Sequence, residues 1–289
     1  MMKELTLFAP AKLNLTLDIL RRREDGYHDL KMTMICVDLR DTLTVRLRED
    51  GKILVRVPGT DLPEGEDNLA GRAARIFFDE TGSAPGAEIT IEKRIPFQAG
   101  MAGGSADAAA VLRALRTLLH PKLTDREMET IGERVGSDVP YCVRGGTALA
   151  EGRGERLTDW PSMPPCQIVV CKPDFGLSTP ELFGRVRVEK LRTHPNHEAL
   201  HAALLGKDLR AMAKLMVNVF EEVLTPQEAE TIGNIKARLL GFGAEGAAMT
   251  GSGPTVFGLF EDEAAARGAF DALRTVYPQT FLTRPAPEV

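Results

Sequence analysis

The stretch Ile95-Pro96-Phe97-Gln98-Ala99-Gly100-Met101-Ala102-Gly103-Gly104-Ser105-Ala106-Asp107 is a glycine-rich turn running into an alanine-rich helix that starts near Ser105. Glycines let backbone approach a ligand closely, and the first N–H groups of a helix, together with the positive end of its dipole, face the same point. That combination binds phosphate. A plain helix start with Ser105 as N-cap competes with this reading. Asp107 fits that alternative, because an acid in the first turn suits the dipole but not a neighbouring phosphate. A bound cation would reconcile the two. No Gly-Lys-Ser/Thr follows, so the turn is not a Walker A loop, and it lacks Gly-x-Gly-x-x-Gly spacing.

Outward from the turn, the pattern is mixed. Apolar residues at Leu5, Leu7, Leu13, Leu15, Leu17 and Ile19 alternate with Lys12, Asn14, Thr16 and Asp18, which predicts a strand with Lys12 and Asn14 on one face. Alternation at Leu43/Val45/Leu47 and Ile53/Val55/Val57 flanks Glu49-Asp50-Gly51 and predicts a hairpin. Helical spacing appears over Leu69, Ala73, Ile76 and Phe77 with a stop at Gly82, and over Val111, Leu112, Leu115 and Leu118 before Pro121. Thr124 and Glu127 have capping-box spacing for a third helix ending at Gly136. The breaker-rich run Trp160-Pro161-Ser162-Met163-Pro164-Pro165 precedes a short strand, Ile168 to Val170, so two domains, 1–160 and 161–289, are expected. Beyond it come helical patterns at 197–219 and 227–240, a strand at 255–260, a helix at 262–276 and a last short strand. The class is α+β.

The 289 residues, 43% hydrophobic and 27% charged, describe a folded chain large enough for a sizeable core. A net charge of −5 with no basic run beyond Arg21-Arg22-Arg23 argues against nucleic acid and anionic membrane as partners. Nowhere do ~18 apolar residues run together, and the first residues carry no leader pattern, so a cytoplasmic location is expected. Cys36, Cys142, Cys166 and Cys171 form no CxxC pair and read as reduced thiols.

The glycine-rich turn between a strand and an alanine-rich helix resembles the phosphate loop of the galactokinase, homoserine kinase, mevalonate kinase and phosphomevalonate kinase (GHMP) superfamily. Three more segments match that superfamily: Pro10-Ala11-Lys12-Leu13-Asn14-Leu15, Gly136-Ser137-Asp138-Val139-Pro140 and Thr250-Gly251-Ser252-Gly253-Pro254-Thr255. Their spread covers nearly the whole chain. Gly26-Tyr27-His28-Asp29-Leu30 and Leu177-Ser178-Thr179-Pro180 with Phe183 resemble the substrate segments of the branch that phosphorylates 4-diphosphocytidyl-2-C-methyl-D-erythritol. The resemblance implies an N-terminal domain like domain 2 of ribosomal protein S5, a ferredoxin-like C-terminal domain, and an ATP-dependent kinase using Mg²⁺ whose ligands it does not specify. Ala102 and Ala106 stand where many relatives carry glycine and serine.

Phosphoryl transfer to an alcohol needs in-line positioning, charge stabilisation and an acceptor for the hydroxyl proton. Asp138, in a tight Gly-Ser-Asp-Val-Pro turn, is the candidate base, the competing reading being an N-cap for a turn at Val139-Pro140. Lys12 could keep Asp138 ionised and stabilise the moving phosphoryl group, although a strand lysine is ordinarily just solvated. The resemblance assigns both residues to catalysis. It gives Pro96 to Ala106 to the phosphates and Asn68 and Lys93 to the adenine pocket. Asn14, Tyr27, His28, Thr179, Phe183 and the Gly251-Ser252-Gly253 turn fall to the substrate side, with Tyr27 and His28 stacking on and hydrogen-bonding cytosine.

Three rival readings stay open. Gly241-Phe242-Gly243-Ala244-Glu245-Gly246 matches a dinucleotide fingerprint literally, but it follows a helix and leads towards a strand, the reverse of the required context. A ligand sensor with this fold and no catalysis is a second, against which the presence of both Lys12 and Asp138 argues. A kinase of another alcohol, such as mevalonate or homoserine, is the third. His194, His197 and His201 tempt a metal reading, yet exposed histidines near a helix start account for them.

Overall fold

The structure is a computed structural model describing residues 3–83 and 85–287. The outermost ends of the two expected domains therefore lie outside the described residues.

Two long strands, β1 (Glu4–Arg22) and β2 (His28–Arg48), pair antiparallel, with register shifts after Pro10, Asn14 and Ile19 that bend the ribbon. β3 (Ile53–Arg56) leads to α1 (Leu69–Thr81), which Asn68 caps and a left-handed Gly82 ends. β4 (Gly86–Glu92) then enters the sheet between β2 and β3, antiparallel to β2 and parallel to β3. The expected hairpin is therefore not formed. Ala87, Ile89 and Ile91 are fully buried and claim the central place, leaving the four-residue β3 at the edge. Gly86 makes this possible, because a Cβ there would collide with Lys52 backbone.

Helix α2 (Gly103–Leu119) lies against β1 and α1. Its buried face is largely alanine, Ala106, Ala108, Ala109, Ala110 and Ala114, which lets the helix approach the sheet closely. α3 (Asp125–Val135) starts with the Thr124–Glu127 capping box and stops at Gly136 as the spacing predicts; α4 (Val139–Arg144) follows. β5 (Thr147–Gly152) and β6 (Arg156–Asp159) extend the sheet beside β2.

A second sheet has the order β11-β7-β10-β9, formed by β7 (Gln167–Cys171), β9 (Gly246–Met249), β10 (Val256–Phe260) and β11 (Thr280–Thr283). Helices α8 (Pro226–Gly241) and α9 (Glu263–Arg274) pack on it, and α5 (Thr179–Arg185) contacts the turn at Val219–Val223. The helical pattern at 197–219 is not one helix. It divides into α6 (His197–Leu205) and α7 (Leu209–Lys214), because Lys207 takes a left-handed φ of 53° and Asp208 caps a new start. The chain then extends as β8 (Val217–Asn218), which joins the first sheet parallel to β1 at Thr16 and Leu17.

All four cysteines are free and buried, and burial raises each thiol pKa. Gly241–Gly246 runs from the end of α8 into β9, so it has no dinucleotide context. Among the described residues, no helix is long and apolar enough to cross a membrane.

Candidate active site

Helix α2 begins two residues before Ser105, and its N-cap is Ala102, whose side chain makes no capping bond. Ser105 is therefore not a cap. Gln98, Gly100 and Ala102 take positive φ values of 49°, 68° and 56°, so alternate residues of the turn are left-handed. Such alternation curls successive N–H groups around one point, an anion nest opening onto the helix terminus. The nest is fixed from two sides. The Lys12 backbone N–H donates to Met101 O at 3.1 Å, and Gly100 presses on the Thr250–Gly253 turn so tightly that a Cβ would strike the Thr250 carbonyl. Ala102 holds a conformation glycine adopts freely, at a cost on the order of 1–2 kcal/mol.

Lys12 and Asp138 both line the cleft at this nest, within electrostatic reach of each other but not joined in an ion pair. β1 delivers Lys12 with its ammonium buried, 3.1 Å from where a Cβ on Gly251 would sit. Burial lowers its pKa, and the Asp138 carboxylate opposes that shift. Asp138 occupies the N-cap position of α4, as the competing reading expects, but its side chain makes no capping bond and the residue lines the cleft. The carboxylate is thus not used as a cap. Asn14, expected to face the substrate, lies behind Lys12 instead. Its Oδ1 accepts from Lys12 Nζ at 2.5 Å and from Gly251 N at 3.0 Å, while its own N–H donates to Thr250 Oγ1 at 2.9 Å. It ties β1 to the glycine turn of the second sheet.

One cleft of about 1200 Å³ is lined by Lys12, Asp138, the turn from Pro96 to Ser105, Asn68, Lys93, Tyr27, His28, Thr179, Phe183, Gly251 and Ser252. Asn14, Ala106 and Gly253 do not line it. At one end His28 stacks on Phe183, with ring centroids 5.0 Å apart, and Phe183 meets Phe220 edge-on. Burial, then the Arg22 charge, lowers the His28 pKa, so the imidazole is neutral at pH 7. Tyr27 stands 56% exposed at the mouth with the Arg153 guanidinium 5.4 Å from its ring. Thr179 Oγ1 and Ser252 Oγ lie 2.7 Å apart, joining α5 to the glycine turn.

Asn68 uses its side chain to accept from Ala70 N and donate to Pro63 O. Lys93 donates to Asp41 Oδ2 at 2.5 Å and Asp107 Oδ2 at 2.7 Å. Burial lowers the Lys93 pKa, but the two carboxylates outweigh it and raise the net value. Both residues line the cleft already engaged within the protein.

Sequence reasoning missed Asp41, Arg22, Arg153 and Arg187. The three arginines line the cleft from separate loops and strand ends, with no motif to mark them. Asp41 is fully buried in β2, and only a charge inside an apolar alternation hinted at it. Of the histidines expected to be exposed, His194 is exposed and pairs with Asp18, and His201 is half-buried and meets Trp160 edge-on. His197 departs from the expectation: it is 7% exposed, with Nδ1 3.4 Å from the Thr16 and Thr33 hydroxyls.

A family model described as the GHMP kinases N terminal domain matches residues 68–146, and one described as GHMP kinases C terminal matches 197–279. The chain is 42% identical over 279 residues to 4-diphosphocytidyl-2-C-methyl-D-erythritol kinase of Brevibacillus brevis, covering 96% of this chain and 94% of that one. It is 41% identical over 276 residues to the kinase so named from a Geobacillus strain, covering 96% and 95%. A crystal structure of 4-(cytidine 5'-diphospho)-2C-methyl-D-erythritol kinase superposes with a TM-score of 0.82 at 34% identity, covering 98% and 100%. Homoserine kinase from Cytophaga hutchinsonii, at 19% identity and a TM-score of 0.76 over 99% and 95%, shares the fold.

Proposed function

We propose, because the chain belongs to the GHMP kinases, that it transfers the γ-phosphate of ATP to the 2-hydroxyl of 4-diphosphocytidyl-2-C-methyl-D-erythritol, giving ADP and the 2-phosphate. This is a step of the non-mevalonate route to isoprenoid precursors. The observation that carries the reading is the single cleft in which the nest at α2, the Lys12–Asp138 pair and the Tyr27–His28–Phe183 aromatic end all open.

In this arrangement the nest and the N-terminus of α2 hold the phosphates of ATP, and the aromatic end holds the base. Tyr27 and Phe183 supply π-faces for cytosine, and the neutral His28 can exchange hydrogen bonds with its edge. Asp138 accepts the proton of the attacking hydroxyl. Lys12 keeps that carboxylate ionised and offsets charge on the moving phosphoryl group. Asn14 positions Lys12. The Gly251-Ser252 turn, tied to Thr179, closes the cleft from the second sheet. Residues 1–160 then form the ATP-binding and catalytic domain and 161–289 the domain that completes the substrate side.

Mg²⁺ bound with ATP would neutralise the charge that develops during phosphoryl transfer. The residues present fit it: Asp107 Oδ1, at the loop, is buried without a hydrogen-bond partner, and Ser105 also lines the cleft. These are the oxygen donors that would hold it.

The test is ADP release with ATP and Mg²⁺, comparing the cytidine compound with mevalonate, homoserine and galactose. Turnover with the cytidine compound alone is expected. Turnover with another alcohol would remove the base-binding role of Tyr27 and His28, and ATP binding without turnover would make the chain a sensor.

A further inference from the structure

The buried triad Asp41–Lys93–Asp107 lies directly behind the phosphate nest, and one of its four carboxylate oxygens is unused. Asp41 is saturated: its Oδ1 accepts from Arg94 N at 2.5 Å and Ile95 N at 2.9 Å, and its Oδ2 from Lys93 at 2.5 Å. Asp107 Oδ2 accepts from Lys93 at 2.7 Å. Asp107 Oδ1 has no partner, although the residue is only 3% exposed and lines the cleft beside Gly103, Gly104 and Ser105.

We propose that Asp107 Oδ1 is the chain's own ligand for the divalent cation carried by ATP, with Lys93 and Asp41 holding the carboxylate in place. This rests on the ATP-dependent reading above. Charge decides the matter. Two carboxylates and one ammonium leave a net negative charge facing a nest built for polyphosphate, and anion against anion disfavours metal-free nucleotide. A divalent ion between Asp107 and the phosphates turns that repulsion into attraction. The chemistry suits Mg²⁺, which commonly takes one or two protein carboxylates and completes its shell with phosphate oxygens and water. Lys93 occupies Oδ2 and so leaves one oxygen for the metal.

Calorimetric titration with β,γ-imido-ATP, in Mg²⁺ and in EDTA, separates this role from a structural one. The wild type is expected to bind more tightly with metal. In Asp107→Asn that enhancement falls roughly tenfold or more, while metal-free affinity stays equal or rises because a negative charge has gone. An unchanged enhancement, or a parallel loss of both affinities, overturns the proposal. Absence of any nucleotide binding by the wild type overturns the kinase reading itself, and the proposal with it. A second measurement needs no Asp107 variant. Protein labelled with [4-¹³C]aspartate and loaded with Mn²⁺ and the same analogue should show a carboxylate carbon coupled to the metal by electron–nuclear double resonance. The coupling should persist in Asp138→Asn; its absence from wild type, or its loss in that variant, assigns no role to Asp107.

Discussion

A buried lysine beside an aspartate that caps nothing is a costly pair of side chains unless each is used. Burial lowers the Lys12 pKa from its ordinary 10.5, and Asp138 partly restores it. Asp138→Asn removes both the proton acceptor and that support, so kcat should fall by a factor on the order of 10² or more. Affinity for an ATP analogue should be unchanged. Steady-state kinetics with analogue binding checks this, and an unaltered kcat would take Asp138 out of the mechanism. His197 offers a prediction about stability. Burial, then Lys31, lowers its pKa from 6.5 to about 4. A lowered folded-state pKa means that, between pH 6.5 and 4, the unfolded chain binds a proton the folded chain refuses. The His197 contribution is thus complete above pH 6.5 and is lost as pH falls towards 4, by about 3 kcal/mol in all. Urea unfolding at a series of pH values should show this fall, and His197→Gln should flatten it.

At the scale of elements, two glycine turns from different sheets lock together through backbone. Gly100 has a φ of 68°, and a Cβ there would strike Thr250 O and lie 2.9 Å from Gly253 N. Neither partner is a side chain that could swing away. Gly100→Ala should therefore cost more than about 2 kcal/mol and weaken nucleotide binding, because the nest is displaced with the turn. Thermal melts and analogue titration measure the two effects; a variant of wild-type stability would show that the turns can separate freely. Caps were the most legible features of the sequence. Thr124 and Glu127 form the box their spacing predicts, and Gly82 ends α1 in the left-handed conformation. These signals act within one turn of chain, so sequence carries them whole. Ser105 failed as a cap because the helix starts earlier, at a left-handed Ala102 that no propensity favours.

At the scale of the molecule, the two sheets share one site and are joined by backbone and side-chain bonds across it. β8 pairs with β1, and Asn14 bonds to Thr250 and Gly251. The C-terminal segment returns to β2, where Asp38 N donates to Arg284 O at 2.9 Å and Ala286 N to Cys36 O at 2.9 Å. Residues 1–160 expressed alone should accordingly show no cooperative unfolding and no analogue binding, readable by circular dichroism and calorimetry. A fragment that folds and binds like the whole chain would make the first sheet autonomous. What the sequence determined by itself was local or family-borne. It specified the α+β class, helix ends, the glycine-rich turn into α2, and the four GHMP segments, since each is written in a few adjacent residues. Strand partners lay beyond it, because alternation marks a strand without naming its neighbour, and β4 displaced the expected hairpin. The tertiary structure alone decided that Asn14 braces Lys12, that Lys93 bridges Asp41 and Asp107, and that Arg22, Arg153 and Arg187 reach the cleft. Those contacts join residues far apart in the chain, and whether a charge is solvated, paired or left facing a ligand depends on what the fold packs around it.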